Sequence, residues 1–387
     1  MAAVLNVGAA LMYAAEELRA DREVVLAAIS RDGYALRYAS DELRADPEIV
    51  LAAVTDDGMA LQYASSIELH ADRTVVMAAI SQTGRALKCA SEELRADREI
   101  VLVAVTGYGM ALHDASIELR ADQGVVLAAV SQNADALMYA AKELWANREI
   151  VLAAVCRSGS ALQYASPELC ADREIVLVAV TGYGLALGNA SIELRADRGV
   201  VLAAVSQIGH ALMYAAANLC ADRGVVLAAV SRSGYALRYA SVELRANREF
   251  IMTAVSKSGS ALAKASLPLR ADREIVMTAV SQNGMALASA KGGLQDDREV
   301  VLVAVSQTGD ALAYASKRLQ QSAEVVCAAI NQNRKAIRYA HRRLRYVPNY
   351  RRAGPVETRL LFLHMPFPYD LPDEVVCRYI LPHCHRV

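Results

Sequence analysis

Asp172 to Arg195 reads DREIVLVAVTGYGLALGNASIELR. Copies of this stretch, set about 25 residues apart, fill nearly the whole chain, which is the mark of a stacked repeat array. Full copies begin at Asp21, Asp46, Asp72, Asp97, Asp122, Asn147, Asp172, Asp197, Asp222, Asn247, Asp272 and Asp297. The two asparagines keep the ability of the aspartates to cap a helix.

The copy at Asp21–Ala45 shows what one repeat specifies. The Asp21 carboxylate can accept from the free N–H groups of a first helical turn, and Glu23 adds negative charge where the helix dipole favours it. Val24 to Ile29 form an apolar run that must be covered on several sides. Gly33 falls where this helix must stop and is expected to take a left-handed C-terminal conformation. A second apolar set, Ala35, Leu36 and Ala39, follows at helical spacing, with Tyr34 and Arg37 on the other side. Pro167 after Ser166, and Pro268, argue that the second helix ends near the serine. A new cap and a short turn then follow, and the leucine of that turn plugs the core. The one irregularity in length, the extra residue in Ser65-Ser66-Ile67-Glu68, falls at the same point.

Helices of about 7–10 residues are not stable alone in water, so each unit needs neighbours on both sides. The reading is an all-α solenoid of tandem short helical hairpins with a period of about 25 residues, spanning 1–346 with a truncated first repeat. A non-repeat tail or cap, 347–387, follows. Met1 opens inside a repeat and lacks the Asp-Arg-Glu start, as a fragment would.

The chain has 387 residues, with 41 Lys and Arg against 42 Asp and Glu, a net charge of −1. Non-specific attraction to nucleic acid or anionic membrane is therefore not the main driver. The seven cysteines show no paired or metal-like spacing, which favours a reducing compartment. No signal peptide and no apolar run near 18 residues is present. These features point to an intracellular, cytoplasmic protein off the membrane.

No phosphate-binding loop, zinc-finger spacing, GxSxG elbow or HExxH helix is found. The expected catalytic, cofactor and metal sites are therefore none. His113 beside Asp114 reads as solvated surface rather than a catalytic pair, since its duplicate is Gly188-Asn189. Cys377, His383, Cys384 and His385 match no zinc pattern. The recurring tyrosines of the second helix (Tyr38, Tyr63, Tyr139, Tyr164, Tyr214) are read as rings packed between hairpins rather than as a base-stacking ladder. Lys291-Gly292-Gly293-Leu294 is read as a soft joint, because glycines weaken a helix.

The blocks Asp97–Ala171 and Asp172–Ala246 agree at most aligned positions. They differ at Met110/Leu185, His113/Gly188, Asp135/His210, Ser160/Tyr235 and Gln163/Arg238, mostly on the side of the second helix facing away from Ala-Leu. A variable face on a fixed frame is what a binding surface looks like. The candidate partner-binding row is Arg31, Tyr34, Arg37, Asp57, Met59, Gln62, Arg85, Lys88, Tyr108, His113, Asp135, Tyr183, His210, Tyr235 and Arg238.

The unit Asp-Arg-Glu-Val-Val-Leu-Ala-Ala-Val, then Gly-x-Ala-Leu-x-Tyr-Ala-Ser-x-Glu-Leu, closely resembles the domain-of-unknown-function 4116 repeat from Met1 to about Tyr346. That resemblance implies a tandem array and carries over no catalytic residue. Leu371, Pro372, Glu374, Val375, Ile380 and Leu381 resemble the opening of an F-box. The expected function is a non-enzymatic scaffold for protein–protein interaction, with no cofactor. The alternatives are a ubiquitin-ligase adaptor working through the C-terminal motif, and nucleic-acid or anionic-surface binding through the basic end, Arg334–Arg352. Nucleic acid is the less expected partner.

Overall fold

A side-chain oxygen of aspartate or asparagine opens most of the long helices, because the first N–H groups of a helix have no partner within it. In a computed structural model of the chain, Asp97 Oδ1 accepts from the amides of Glu99 at 2.9 Å and Ile100 at 3.1 Å. Asn147 does the same for Glu149 and Ile150, and Asn247 for Phe250 at 2.8 Å. Pro47 sits in the first turn after Asp46, where a missing N–H costs nothing. The structure describes residues 8–341 and Leu344; no strand occurs among the described residues.

Each repeat is a rung of three pieces. Arg98–Gly107 is a ten-residue α-helix, Gly109–Asp114 a six-residue 3-10 helix, and Leu119–Ala121 lies in a one-turn closing segment. The long helix buries Ile100, Val101, Ala104 and Val105 completely, the 3-10 helix buries Ala111 and Leu112, and the closing turn contributes Leu119. Full burial of each large aliphatic side chain contributes roughly 1.5–3 kcal/mol, which offsets the marginal stability of helices this short. The chain divides into two compact units, Met1–Arg232 and Ser233–Val387, and the described residues of each repeat this rung. The boundary expected at 346/347 lies outside the described residues.

The second helix differs from the expected one in kind. It is 3-10 throughout, for example Gly33–Tyr38, Gly58–Tyr63 and Gly184–Asn189. Residues three apart then eclipse. Gly33 and Leu36 share an inward row, while Tyr34 and Arg37 share an outward one. The side chains of Asp32, Asp57, Asn133 and Asn283 accept from the amide two residues on, at 2.9–3.1 Å, and start these helices.

The glycine expectation is corrected. Gly33 and its equivalents open the 3-10 helix and none has a positive φ; among the described residues only Gly292 and Gly293 do. They are glycines because the next rung lies against them. A Cβ on Gly33, Gly58, Gly84, Gly109, Gly159 or Gly209 would collide with the carbonyl oxygen of Ala53, Ala79, Ala104, Ala129, Ala179 or Ala229. Ala134 carries a methyl at this position, buried to 3 % exposure. Arg334 occupies it where no further rung follows among the described residues.

The closing turn begins as expected, with Ser191 Oγ accepting from the Leu194 amide at 3.3 Å. It also supplies a link between rungs that pattern reading does not show. The amide at the serine position donates to the carbonyl of the residue after the previous rung's leucine: Ser116 to Arg95 at 2.9 Å, Ser166 to Trp145 at 2.9 Å, Ser191 to Cys170 at 2.8 Å. At the length irregularity Ser65 keeps this bond to Arg44 at 3.0 Å, and Ser66 is the added residue before the helix Ile67–Ala71. Lys291 keeps it too, to Arg270 at 2.8 Å. Gly292 and Gly293, at φ 63° and 81°, form a fitted left-handed turn there, not a weakened helix.

Candidate interaction surface

Two ladders of polar contacts bind rung to rung, a third set closes the ends of the 3-10 helices, and one face is left over. Along the first edge, the arginine of Asp-Arg-Glu reaches to the next rung's cap. Arg98 Nε lies 3.1 Å from Asp122, Arg148 Nε 3.2 Å from Asp172, and Arg248 Nε 2.8 Å from Asp272. Where the next rung has its glutamate, the guanidinium bridges both carboxylates, as Arg148 does with Glu174 and Arg248 with Glu274. These contacts hold the aspartates below the usual carboxylate range. At Asp122 and Asp272 the arginine bond is the largest cause; at Asp97 and Asp172 it is the backbone amide of the isoleucine.

The second ladder runs along the ends of the long helices. Gln132 Oε1 accepts from the Gly109 amide at 2.7 Å, and Gln332 Oε1 from that of Gly309 at 2.6 Å. Arg157 donates to the Gln132 carbonyl at 2.9 and 3.1 Å.

The third set uses the residue after the closing leucine. Its identity changes from rung to rung, yet the kind of contact is shared. Trp145 Nε1 donates to the Leu137 carbonyl at 3.1 Å, Cys170 Sγ lies 3.7 Å from that of Leu162, and Gln320 Nε2 reaches the carbonyls of Leu312, Ala313 and Ala315 at 3.1–3.3 Å. Cys220 and Gln295 do the same within their own rungs, whereas Arg44, His70 and Arg270 reach the carbonyl that ends the next rung's 3-10 helix, at Tyr63, Cys89 and Ser289. Each satisfies carbonyls left over at the end of a 3-10 helix. At Arg95, Arg120, Arg195 and Arg245 the Nε is buried without a partner. The Cys170 and Cys220 thiols, pushed up in pKa by burial, are thus structural donors.

What remains is the outward row of the 3-10 helices, where most of the sequence candidates sit. Tyr34/Arg37, Met59/Gln62 and Arg85/Lys88 are eclipsed pairs on successive rungs of the first unit; His113, Asp135 and His210 continue the row. Arg31, Arg37, Gln62, Arg85, Lys88, His113 and Asp135 are exposed, whereas Tyr34, Met59, Tyr108 and His210 are half-buried. Tyr183 is 39 % exposed. Asp57 is different: it is half-buried and its carboxylate caps the Met59 amide at 2.9 Å. In the second unit Tyr235 is 52 % exposed, and the Arg238 guanidinium lies 5.2 Å from the Tyr239 ring. Exposed Met138 and Met213 belong to the same row of the first unit and are absent from the sequence candidates.

Rings along this row meet edge-on. Tyr34 contacts Tyr63 at 5.1 Å and 86°, and His113 contacts Tyr139 at 4.8 Å and 74°. His113 Nδ1 also lies 2.9 Å from Asp114. Burial, with the Tyr34 bond second, pushes the Tyr63 hydroxyl up to about 12. At Gly188 the place of His113 is empty of side chain, and the Tyr214 ring fills it, 3.0 Å from where a Cβ would stand. Among the described residues no three His, Cys, Asp or Glu side chains gather closely enough to hold a metal ion, and no helix is long and apolar enough to cross a membrane. The cysteine–histidine group near the C-terminus, the F-box-like residues Leu371–Leu381 and most of the basic end lie outside the described residues. Of the basic end, Arg338 lies 3.2 Å from Asp310 and over the Tyr339 ring.

Stacked three-piece rungs, tied by ladders and presenting one varied face, define a tandem helical-repeat protein. The chain belongs to the family described as Domain of unknown function (DUF4116), whose model matches residues 1–44, 46–95, 97–145, 147–195, 197–245, 247–291 and 297–345. Each match spans about two rungs. No curated protein and no solved structure matches the chain.

Proposed function

We propose that the protein is a non-enzymatic scaffold that binds a protein partner through the outward row of its 3-10 helices. The observation that carries this reading is the division of labour within each rung. Ala-Leu of the second helix is buried in every rung from Ala35-Leu36 to Ala311-Leu312, while the eclipsed outward pair changes from Tyr/Arg to Met/Gln, Arg/Lys and Met/His. Varied exposed side chains on a rigid, repeating frame can read a partner over several rungs without disturbing the core. The use of the Cys170 and Cys220 thiols as donors supports a reducing, cytoplasmic setting, since oxidation removes the S–H.

A photo-crosslinking residue placed at Gln163, on this row, is expected to give discrete protein adducts in native extract. The same group at Glu143, on the closing turns, or at Leu152, on the long helices, is expected to give few. Equal adducts at all three positions would overturn the assignment of the face.

A further inference from the structure

Charge is not spread evenly along the outward row of the first unit. Arg37, Arg85 and Lys88 stand on its early rungs, Gly33–Tyr38 and Gly84–Cys89. The outward pairs that follow, from Met110/His113 to His210/Met213, contain no lysine or arginine. The three cations are exposed. The nearby carboxylates are turned inward to backbone amides: Asp32 to Tyr34 at 3.0 Å, Asp57 to Met59 at 2.9 Å, and Asp56 to Gly33 at 2.7 Å.

Two of the cations are held ready on aromatic rings. Arg37 Cζ lies 5.6, 5.7 and 5.9 Å from the Tyr34, Tyr38 and Tyr63 centroids, and Arg37 Nη1 donates to the Tyr34 hydroxyl. Arg85 Cζ lies 5.8 Å from the Tyr108 centroid. A guanidinium resting on a ring keeps N–H groups for a carboxylate at little cost in ordering. The rung between them is neutral, with Met59 and Gln62 outward.

We propose that these early rungs bind an acidic polypeptide segment, with carboxylates at Arg37 and at Arg85/Lys88 and an uncharged stretch over Met59 and Gln62. This rests on the outward row being the contact face. A polypeptide suits the spacing better than a nucleic acid strand. A nucleic acid strand carries a phosphate at every nucleotide and would set charge over the neutral rung and beside Asp57. The Tyr34 and Tyr63 faces are also engaged edge-on with one another rather than open to a base.

The test is fluorescence anisotropy on the full chain with a short labelled Glu-rich peptide, its Gln counterpart and a labelled single-stranded RNA. The Glu peptide is expected to bind and to weaken as salt rises, with the Gln peptide at least about tenfold weaker. The combined variant Arg37→Gln, Arg85→Gln, Lys88→Gln is expected to lose at least about tenfold for the Glu peptide. A control with the same change in charge on exposed residues elsewhere, Lys257→Gln, Lys291→Gln, Lys317→Gln, is expected to lose none. Equal loss in both variants, no loss in the first, or RNA binding tighter than the Glu peptide overturns the proposal. If the Glu peptide does not bind but Gln163 still crosslinks selectively, only the acidic partner falls; if crosslinking is also unselective, the face falls with it.

Discussion

A Cβ on Gly184 would lie 2.5 Å from the carbonyl oxygen of Ala204, on the next rung of the first unit. Backbone approach, not backbone conformation, therefore sets this residue, and the close spacing of rungs depends on it.

Gly184→Ala is accordingly expected to destabilise by about 1–3 kcal/mol, the usual cost of overpacking. Gly182→Ala, two residues earlier at the end of the helix Arg173–Gly182, meets nothing nearer than 3.9 Å. It is expected to be neutral or to stabilise by about 0.5–1 kcal/mol. Urea denaturation of the two variants checks the contrast, and equal effects would contradict it.

Gln320 satisfies carbonyls of its own 3-10 helix, so Gln320→Leu is expected to cost about 1–2 kcal/mol by leaving buried acceptors bare. Gln320→Cys, which restores the donor that Cys170 and Cys220 aim at the corresponding carbonyls of their own rungs, is expected to recover part of the loss. Thermal melts of the pair measure this. A side chain wanted only for its bulk would make leucine the better replacement.

The Arg–Asp ladder makes stability depend on acid. Asp122 and Asp272 titrate below their ordinary range, chiefly through Arg98 and Arg248. A depressed carboxylate adds stability that is complete above the unfolded pKa of about 3.9 and lost as pH falls below it. The urea midpoint is expected to hold steady down to about pH 5 and to drop towards pH 3. Arg98→Gln together with Arg248→Gln is expected to flatten that drop. An unchanged acid profile in the double variant would contradict the ladder.

Much of this was legible in the residues, and what escaped has a common cause. Asp21, Pro47 and Ser40 announce helix starts because capping is local: the donor and acceptor lie within three residues. Gly33 was placed correctly but for the wrong reason, because its neighbour Ala53 belongs to another rung. The arginine of Asp-Arg-Glu was assigned no role within its own helix, and its partner likewise lies on the next rung. The residue after the closing leucine left a faint signal: Arg, His, Trp, Cys and Gln alternate there, and all can donate a hydrogen bond. The outward row was visible as variation between duplicated blocks, but the eclipsing of Tyr34 with Arg37 follows from 3-10 geometry, which periodicity over six residues does not separate from an α-helix.

The central claim is that a rung has no stability of its own and is ordered by the rungs beside it. Circular dichroism and urea melts of chains cut to successively fewer rungs, down to the single stretch Asp172–Ala196, test it most directly. Helicity and urea midpoint are expected to fall with each rung removed and to vanish for the single stretch. A single stretch that is helical and melts cooperatively as a monomer would contradict it.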